Sequence, residues 1–292
     1  MGEHQQPLVS VLMTAFNREY FIREAIESVL KSTYKNFELI ICDDCSTDGT
    51  VEIAHSYSKD ERIKIYVNEC NLQQFQNRNN VARFAKGKYL KYVDSDDIIY
   101  AHSLEMMVNI MESFPDAGLG FCHTSGNSKW PLPHCYTSSE VFWQHYFGGG
   151  ILYTGPIGTI IRKDVFDGVG GFDLYGMPSD NHFLLKVAAK YPVVSMYRDL
   201  IWWRSHDNQA FNGETDDINI FMNLKWNLDI LLNVNCPLNE KDRLQAIRNC
   251  KKIFLYNIGK KLLSRPGSLP VIIKLMQNQQ IKFGKLVNDL VK

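Results

Sequence analysis

Asp94-Ser95-Asp96-Asp97 puts three carboxylates at the end of an apolar segment, residues 89–93 (YLKYV). Like charges this close repel one another, and a fold tolerates them best when a cation compensates. Oxygen-only donors select hard cations such as Mg²⁺ or Mn²⁺. Mg²⁺ commonly takes one or two carboxylates and completes its shell with water and substrate phosphates, so a bound diphosphate is the natural partner. Taken alone, the same string also reads as a solvated acidic loop capping the next helix. A second acidic strand end, Asp43-Asp44, runs into Ser46-Thr47-Asp48-Gly49-Thr50. The latter five residues carry turn and cap chemistry. The two carboxylates before them can accept from the imide of a base or from a ribose hydroxyl.

The elements that must position these groups follow from hydrophobic periodicity. Residues 8–16 form a nearly continuous apolar run of strand length, as in a strand buried on both faces of a parallel sheet. Ile22, Ala25, Ile26, Val29 and Leu30 recur at helical spacing, opposite Arg23, Glu24, Glu27 and Lys31. Strand, helix and strand patterns then alternate through residues 37–93, with a helix expected over about 75–86. This alternation predicts an α/β fold with a mostly parallel, Rossmann-like sheet flanked by helices. Ligands of such sheets bind beyond the carboxyl ends of the strands, where both acidic strings stand. From about 98 to 210 the pattern is mixed, with a helix over 101–113, glycines at Gly148 to Gly150 that suit a lid or a flexible connection, and a short helix over 179–190. Beyond Asp216 it is helical.

Composition narrows the classes. Thirty-two basic and 32 acidic residues balance, which argues against a nucleic-acid binder, and 45% hydrophobic residues argue against disorder. No stretch has the length or apolarity of a membrane span, the start lacks the pattern of a secretory signal, and Gln6 replaces the Ser or Thr of a myristoylation signal. The expectation is a cytoplasmic protein, including the inner face of the membrane, with its seven cysteines reduced. Cys42 and Cys45 form a C-x-x-C with no second pair at zinc spacing. G-x-S-x-G, G-x-G-x-x-G and Walker-type strings are missing, so hydrolase, dehydrogenase and P-loop readings lose support.

The strings TAFN, DDCSTDGT, NRNNVARFAKGKYLKYVDSDD and IRKDVFDGVGGFD, in this order over roughly residues 7–210, resemble family 2 of the glycosyltransferases, inverting enzymes with the GT-A fold. The resemblance implies a catalytic domain over 1–215, with a nucleotide part to about 100 and an acceptor part after it, and a helical region over 216–292. It implies that Thr14, Phe16 and Asn17 line the base, that Asp44 accepts from it, and that Arg78 lies beside it. Asp94 would hold the ribose or share the metal, Asp96 would be the main metal ligand, and Asp97 would be a further ligand or, preferably, a helix cap. Asp180 would be the catalytic base, in a segment where the family usually carries Glu-Asp and this chain has Ser179-Asp180; the other reading of Asp180 is a helix N-cap. Arg204 and His206, in WWRSH, would touch the diphosphate or complete the metal shell. Gln73 and Gln74 stand where the family commonly has Gly after an Asn.

The implied function is metal-dependent transfer of a sugar from a nucleotide-sugar, a UDP-sugar by preference, to a saccharide or lipid-linked acceptor in surface polysaccharide assembly. Two other readings stay open. A nucleotidyltransferase of related fold would need the Gly-rich basic loop that is missing after the first strand. A non-catalytic sugar-nucleotide-binding protein is suggested by Ser179. The neutral total also hides an asymmetry: residues 237–292 hold twelve Lys and Arg against three acids, a net +9, which leaves −9 for the rest. A basic amphipathic region of this kind either packs on the catalytic domain with a solvated face or contacts an anionic membrane.

Overall fold

A computed structural model describes residues 6–122, 130–152, 154–176, 179–206 and 217–278. The chain alternates β1 (Val9–Ala15), α1 (Ile22–Leu30), β2 (Phe37–Asp43), α2 (Thr50–His55), β3 (Ile63–Val67), α3 (Gln74–Ala82) and β4 (Tyr89–Tyr92). Then come β5 (Ile98–Ile99), α4 (Ser103–Ser113), β6 (Leu119–Cys122), β7 (His134–Tyr136), α5 (Ser138–Phe147), β8 (Thr159–Arg162), α6 (Lys163–Val169), α7 (Ser179–Ala188), β9 (Val193–Met196) and β10 (Ile201–Trp202). Three helices follow: α8 (Asp217–Leu231), α9 (Glu240–Ser264) and α10 (Leu269–Asn278).

Among the described residues, eight strands form one sheet in the order β3-β2-β1-β4-β8-β6-β9-β7. β3, β2, β1 and β4 run parallel, β8 is antiparallel to both its neighbours, β6 and β9 are parallel, and β7 returns antiparallel. The first four strands thus make the half-sheet whose carboxyl ends face one crevice. β1 is buried on both faces, as its unbroken apolar run requires: Val9, Val11 and Met13 pack with α1 and α4, while Leu12 packs with Tyr92, Phe172 and Phe183. Gly87 is needed because a Cβ there would lie 2.6 Å from the backbone nitrogen of Ser10. That close approach lets β4 join β1.

β5 and β10 form a separate antiparallel pair, Ile99 opposite Ile201 and Ile98 opposite Trp202. This small ribbon joins the segment after Asp97 to the segment before Arg204, and so brings two distant motifs together. Gly148 to Gly150 end α5: the Gly148 and Gly150 amides both donate to the Gln144 carbonyl. They are not among the residues lining the main cavity.

Trp226, Ile230 and Leu231 of α8 and Ala246 of α9 belong to the core under the sheet, while Phe221, Leu224, Phe254, Ile258 and Ile272 close a smaller core among the last three helices. The boundary expected at 215/216 and the end of the basic tail, residues 279–292, lie outside the described residues. Among the described residues, no helix is long and apolar enough to cross a membrane.

Candidate active site

A cavity of about 880 Å³ opens at the carboxyl ends of β1, β2 and β4. Of the residues singled out in the sequence, Thr14, Phe16, Asp44, Arg78, Asp94, Asp96 and Asp180 line it. Asn17, Arg204 and His206 do not. Asn17 turns away: in a left-handed conformation (φ 52°) its Oδ1 accepts from the Thr47 amide at 2.9 Å, and its own amide donates to Ser46 Oγ at 2.8 Å. The Ser46–Thr50 turn therefore clamps the loop after β1.

The two carboxylates after β2 divide their work. Asp43 accepts from the amide and hydroxyl of Ser46 at 2.8 and 2.5 Å, so it builds the turn and is not available to a ligand. Asp44 accepts through Oδ1 from Asn68 Nδ2 and the Leu72 amide, both at 2.8 Å. Asn68 also bonds Asn77 and accepts from Asn80. It is a positioning residue that the sequence analysis missed, because an Asn after an apolar strand carries no special pattern.

Arg78, 2% exposed, donates through one nitrogen to both oxygens of Asp94, at 2.8 and 2.9 Å. α3 supplies the arginine and the segment after β4 the aspartate, and both line the cavity. Asp96 is engaged differently: its Oδ2 accepts from Arg18 Nε at 2.9 Å, and His206 Nε2 lies 3.1 Å away. His206 packs against Phe21, the rings tilted by 31° with centroids 4.6 Å apart. Arg204 donates to the Asp96 carbonyl at 2.9 Å and to Glu24 at 2.5 Å, and it lies over the rings of Trp202 and Phe21.

Asp97 is not a helix cap. It precedes β5, and α4 begins only at Ser103, after His102. The buried Asp97 carboxylate instead accepts from the Arg204 amide at 2.9 Å, fastening the β5–β10 ribbon. Burial, with Asp94 nearby, pushes its pKa up to about 8. Behind it lies Lys91, fully buried on β4, whose ammonium donates to the carbonyl of Ile157. Burial pulls Lys91 down to about 8, partly offset by Asp94 and Asp97. Thr154, Gly155, Pro156 and Ile157 form one cavity wall, so Lys91 ties that wall to the strand that leads into the acidic string.

Asp180 stands in the first turn of α7, and its Oδ1 accepts from the next amide, Asn181, at 2.9 Å. Burial raises its pKa, although Arg78 pulls the other way. The positive end of a helix dipole also favours the anion at this position. Ser179, fully buried, accepts from the Tyr175 amide at 2.9 Å. The hydroxyl that replaces the expected acid thus holds the approach to α7.

Asp96 and His206 suit a divalent cation. Their donor atoms are 3.1 Å apart, the spacing of neighbouring ligands around one ion at about 2.1 Å. Among the described residues, no group of three or more His, Cys, Asp or Glu could hold a metal. A pair of this kind would leave the remaining positions of an ion to substrate phosphates and water.

Residues 10–170 match the sequence model of glycosyl transferase family 2. The chain belongs to that family. Among family relatives, the UDP-Glc:alpha-D-GlcNAc-diphosphoundecaprenol beta-1,3-glucosyltransferase WfgD of Escherichia coli is 42% identical over 104 residues, covering 36% of this chain and 41% of that protein. The chain thus spans about two fifths of the length of that relative. The structure of Staphylococcus aureus TarS residues 1–349 with UDP-GlcNAc superposes with a TM-score of 0.73 at 19% identity, over 93% of this chain and 80% of that one. The mannosyltransferase PcManGT of Pyrobaculum calidifontis, in complex with GDP-Man and Mn²⁺, gives 0.63 at 14% identity over 99% and 87%. These likenesses identify the family 2 fold as GT-A: the mostly parallel sheet with flanking helices expected from the sequence.

Proposed function

We propose that this protein is an inverting glycosyltransferase that moves a sugar from a nucleotide-sugar, with UDP-sugars favoured, to a hydroxyl of a saccharide or lipid-linked saccharide in surface polysaccharide assembly. The observation that carries this reading is the convergence of Asp180 on the cavity that also holds Asp44, the Arg78–Asp94 pair and Asp96. One carboxylate is thereby available for proton transfer beside groups suited to a nucleoside diphosphate. The lipid-linked substrate in the name of the E. coli relative and the UDP-GlcNAc bound to TarS support the choice of acceptor and donor classes.

In this mechanism Asp180 accepts the proton of the acceptor hydroxyl. The oxygen attacks the anomeric carbon from the side opposite the leaving group, and the bond from that carbon to the diphosphate oxygen breaks with its electron pair. The nucleoside diphosphate departs, and the configuration inverts. A positioned general base contributes ~10²–10⁴-fold. The elevated pKa of Asp180 suits this task better than an ordinary carboxylate would, because it makes the anion a stronger base. Asp44 would accept from the base, with Thr14 and Phe16 beside it, and Arg78 would keep Asp94 aimed at the ribose. Asp96 and His206 would hold Mg²⁺ or Mn²⁺, which when bound supplies charge neutralisation for the diphosphate.

The test is product mass and nucleoside diphosphate release from a panel of UDP-, GDP- and dTDP-sugars, with Mg²⁺ or Mn²⁺ and a range of acceptors. One donor is expected to be consumed, and Asp180→Asn is expected to bind the same nucleotide without turnover. Nucleotide binding by the wild type with no turnover of any donor would favour the non-catalytic binding protein. Formation of a sugar nucleotide from a sugar phosphate and a nucleoside triphosphate would favour the nucleotidyltransferase.

A further inference from the structure

Between Arg243 and Asn278 the chain carries eight Lys and Arg and no Asp or Glu. α9 and α10, which fill this stretch, bury one side: Phe254, Ile258 and Ile272 close on Phe221 and Leu224 of α8. The opposite side of α9 is not the polar face that such packing normally leaves to water. Ile253, Tyr256, Lys260 and Leu263, spaced by three, four and three residues, fall on one stripe of the helix, with Lys252 at its flank. Ile253 is 60% exposed, Tyr256 69% and Leu263 87%. Across the turn at Arg265, α10 continues the pattern, with Leu269, Ile273 and Lys274 outward.

Bulky apolar side chains interleaved with cations, with no acid between them, limit what can cover the stripe. A second copy would set lysine against lysine. A nucleic acid would satisfy the lysines but leave Ile253 and Leu263 against phosphates. An anionic bilayer accepts both kinds of group, the apolar side chains at the acyl boundary and the ammonium groups among the headgroups. We propose that the Lys252–Leu263 stripe of α9, extended by α10, docks the protein on an anionic membrane surface. Its charge acts over about a Debye length, and its apolar side chains fix the depth. The interaction needs neither donor nor catalysis, so it stands apart from the transferase reading. If that reading holds, the stripe delivers the enzyme to the surface where a lipid-linked acceptor resides.

The test is sedimentation of the full chain with vesicles of phosphatidylcholine alone and of phosphatidylcholine mixed with phosphatidylglycerol. At about 0.1 M salt the protein is expected to pellet with the anionic vesicles, and to be released as salt shortens the screening length. Lys252→Glu with Lys260→Glu should weaken binding by at least about tenfold. Ile253→Ser with Leu263→Ser should weaken it at any salt. Both pairs lie on the surface, and matching thermal melts establish that they fold as the wild type does. Equal pelleting with neutral and anionic vesicles, or none with either, overturns the proposal. So does loss of the stripe's effect on vesicles together with its appearance in dimer formation by light scattering or in binding to a random oligonucleotide.

Discussion

Arg18 Nε donates to Asp96 Oδ2 at 2.9 Å, and His206 Nε2 lies 3.1 Å from the same oxygen. Arg18 follows β1, Asp96 follows β4 and His206 follows β10, so three separate strand ends meet at one carboxylate atom. Arg18 also donates to the carbonyls of Phe16 and Asn17, which orients it across the mouth of the cavity. A guanidinium thus compensates the acidic string. A cation held by Asp96, as proposed, would have to share or displace it.

Arg18→Met should therefore strengthen Mn²⁺ binding in the absence of nucleotide. The pair is partly exposed, so its charge-assisted hydrogen bond is worth about 1 kcal/mol, or roughly fivefold in affinity. Titration calorimetry of Mn²⁺ against both proteins measures this. Unchanged or weaker binding would show that Arg18 does not compete for Asp96.

As the proposed base, Asp180 should set the pH dependence of turnover. Its raised pKa means that the anion is lost as pH falls through a value above that of an ordinary aspartate, so the acid limb of kcat/KM should lie to the alkaline side of the one an ordinary aspartate would give. Asp180→Asn should lower kcat by ~10²–10⁴ and abolish that limb while nucleotide affinity holds. An acid limb that persists in the variant would assign the base to another group.

Gln73 occupies φ 72°, ψ 161°, a region that is essentially reserved for glycine, and its amide donates to Asn71 Oδ1 at 2.9 Å. Strain of this kind costs about 1–3 kcal/mol, while glycine's greater freedom in the unfolded chain returns up to about 1 kcal/mol. Gln73→Gly should then be neutral to about 2 kcal/mol more stable in urea unfolding, and a loss of stability would mean that the Gln73 side chain earns its place through contacts in the cavity.

Lys91 predicts a pH-dependent stability. Its folded pKa, about 8, lies below the ordinary 10.5, so the unfolded chain binds the extra proton between those values. This group therefore makes stability rise with pH from about 8 to 10.5. Lys91→Met removes that contribution and also the donor to Ile157. Compared with the wild type in urea titrations at several pH values, the variant should lack the rise. In nucleotide-binding assays it should also show a weakened cavity wall at Thr154 to Ile157. Parallel stability curves for the two proteins would refute the role given to the buried charge.

Local pattern made much of the molecule legible. β1 is apolar throughout because both faces are covered, α1 shows its buried stripe, and the acidic strings fall at strand ends because a parallel α/β sheet exposes its carboxyl termini to one crevice. Asp180 was legible as a carboxylate at a helix start. What the local pattern misjudged was the use of individual carboxylates. Asp43 serves a turn and Asp97 anchors the Arg204 amide, and both look the same in sequence as Asp44 and Asp96.

The amino-acid sequence by itself determined the order and type of the elements and the acid-rich strand ends, since periodicity of two or 3.6 residues is a property of neighbours along the chain. Only the tertiary structure decided which basic residue meets which acid. Arg18 is 78 residues from Asp96, and His206 is 110. Their meeting depends on the β1–β4 pairing and the β5–β10 ribbon, whose registers are set by packing across the whole sheet. Lys91 carries the same lesson: a lysine between Leu90 and Tyr92 reads as exposed until β8 and the Pro156–Gly158 turn close over it.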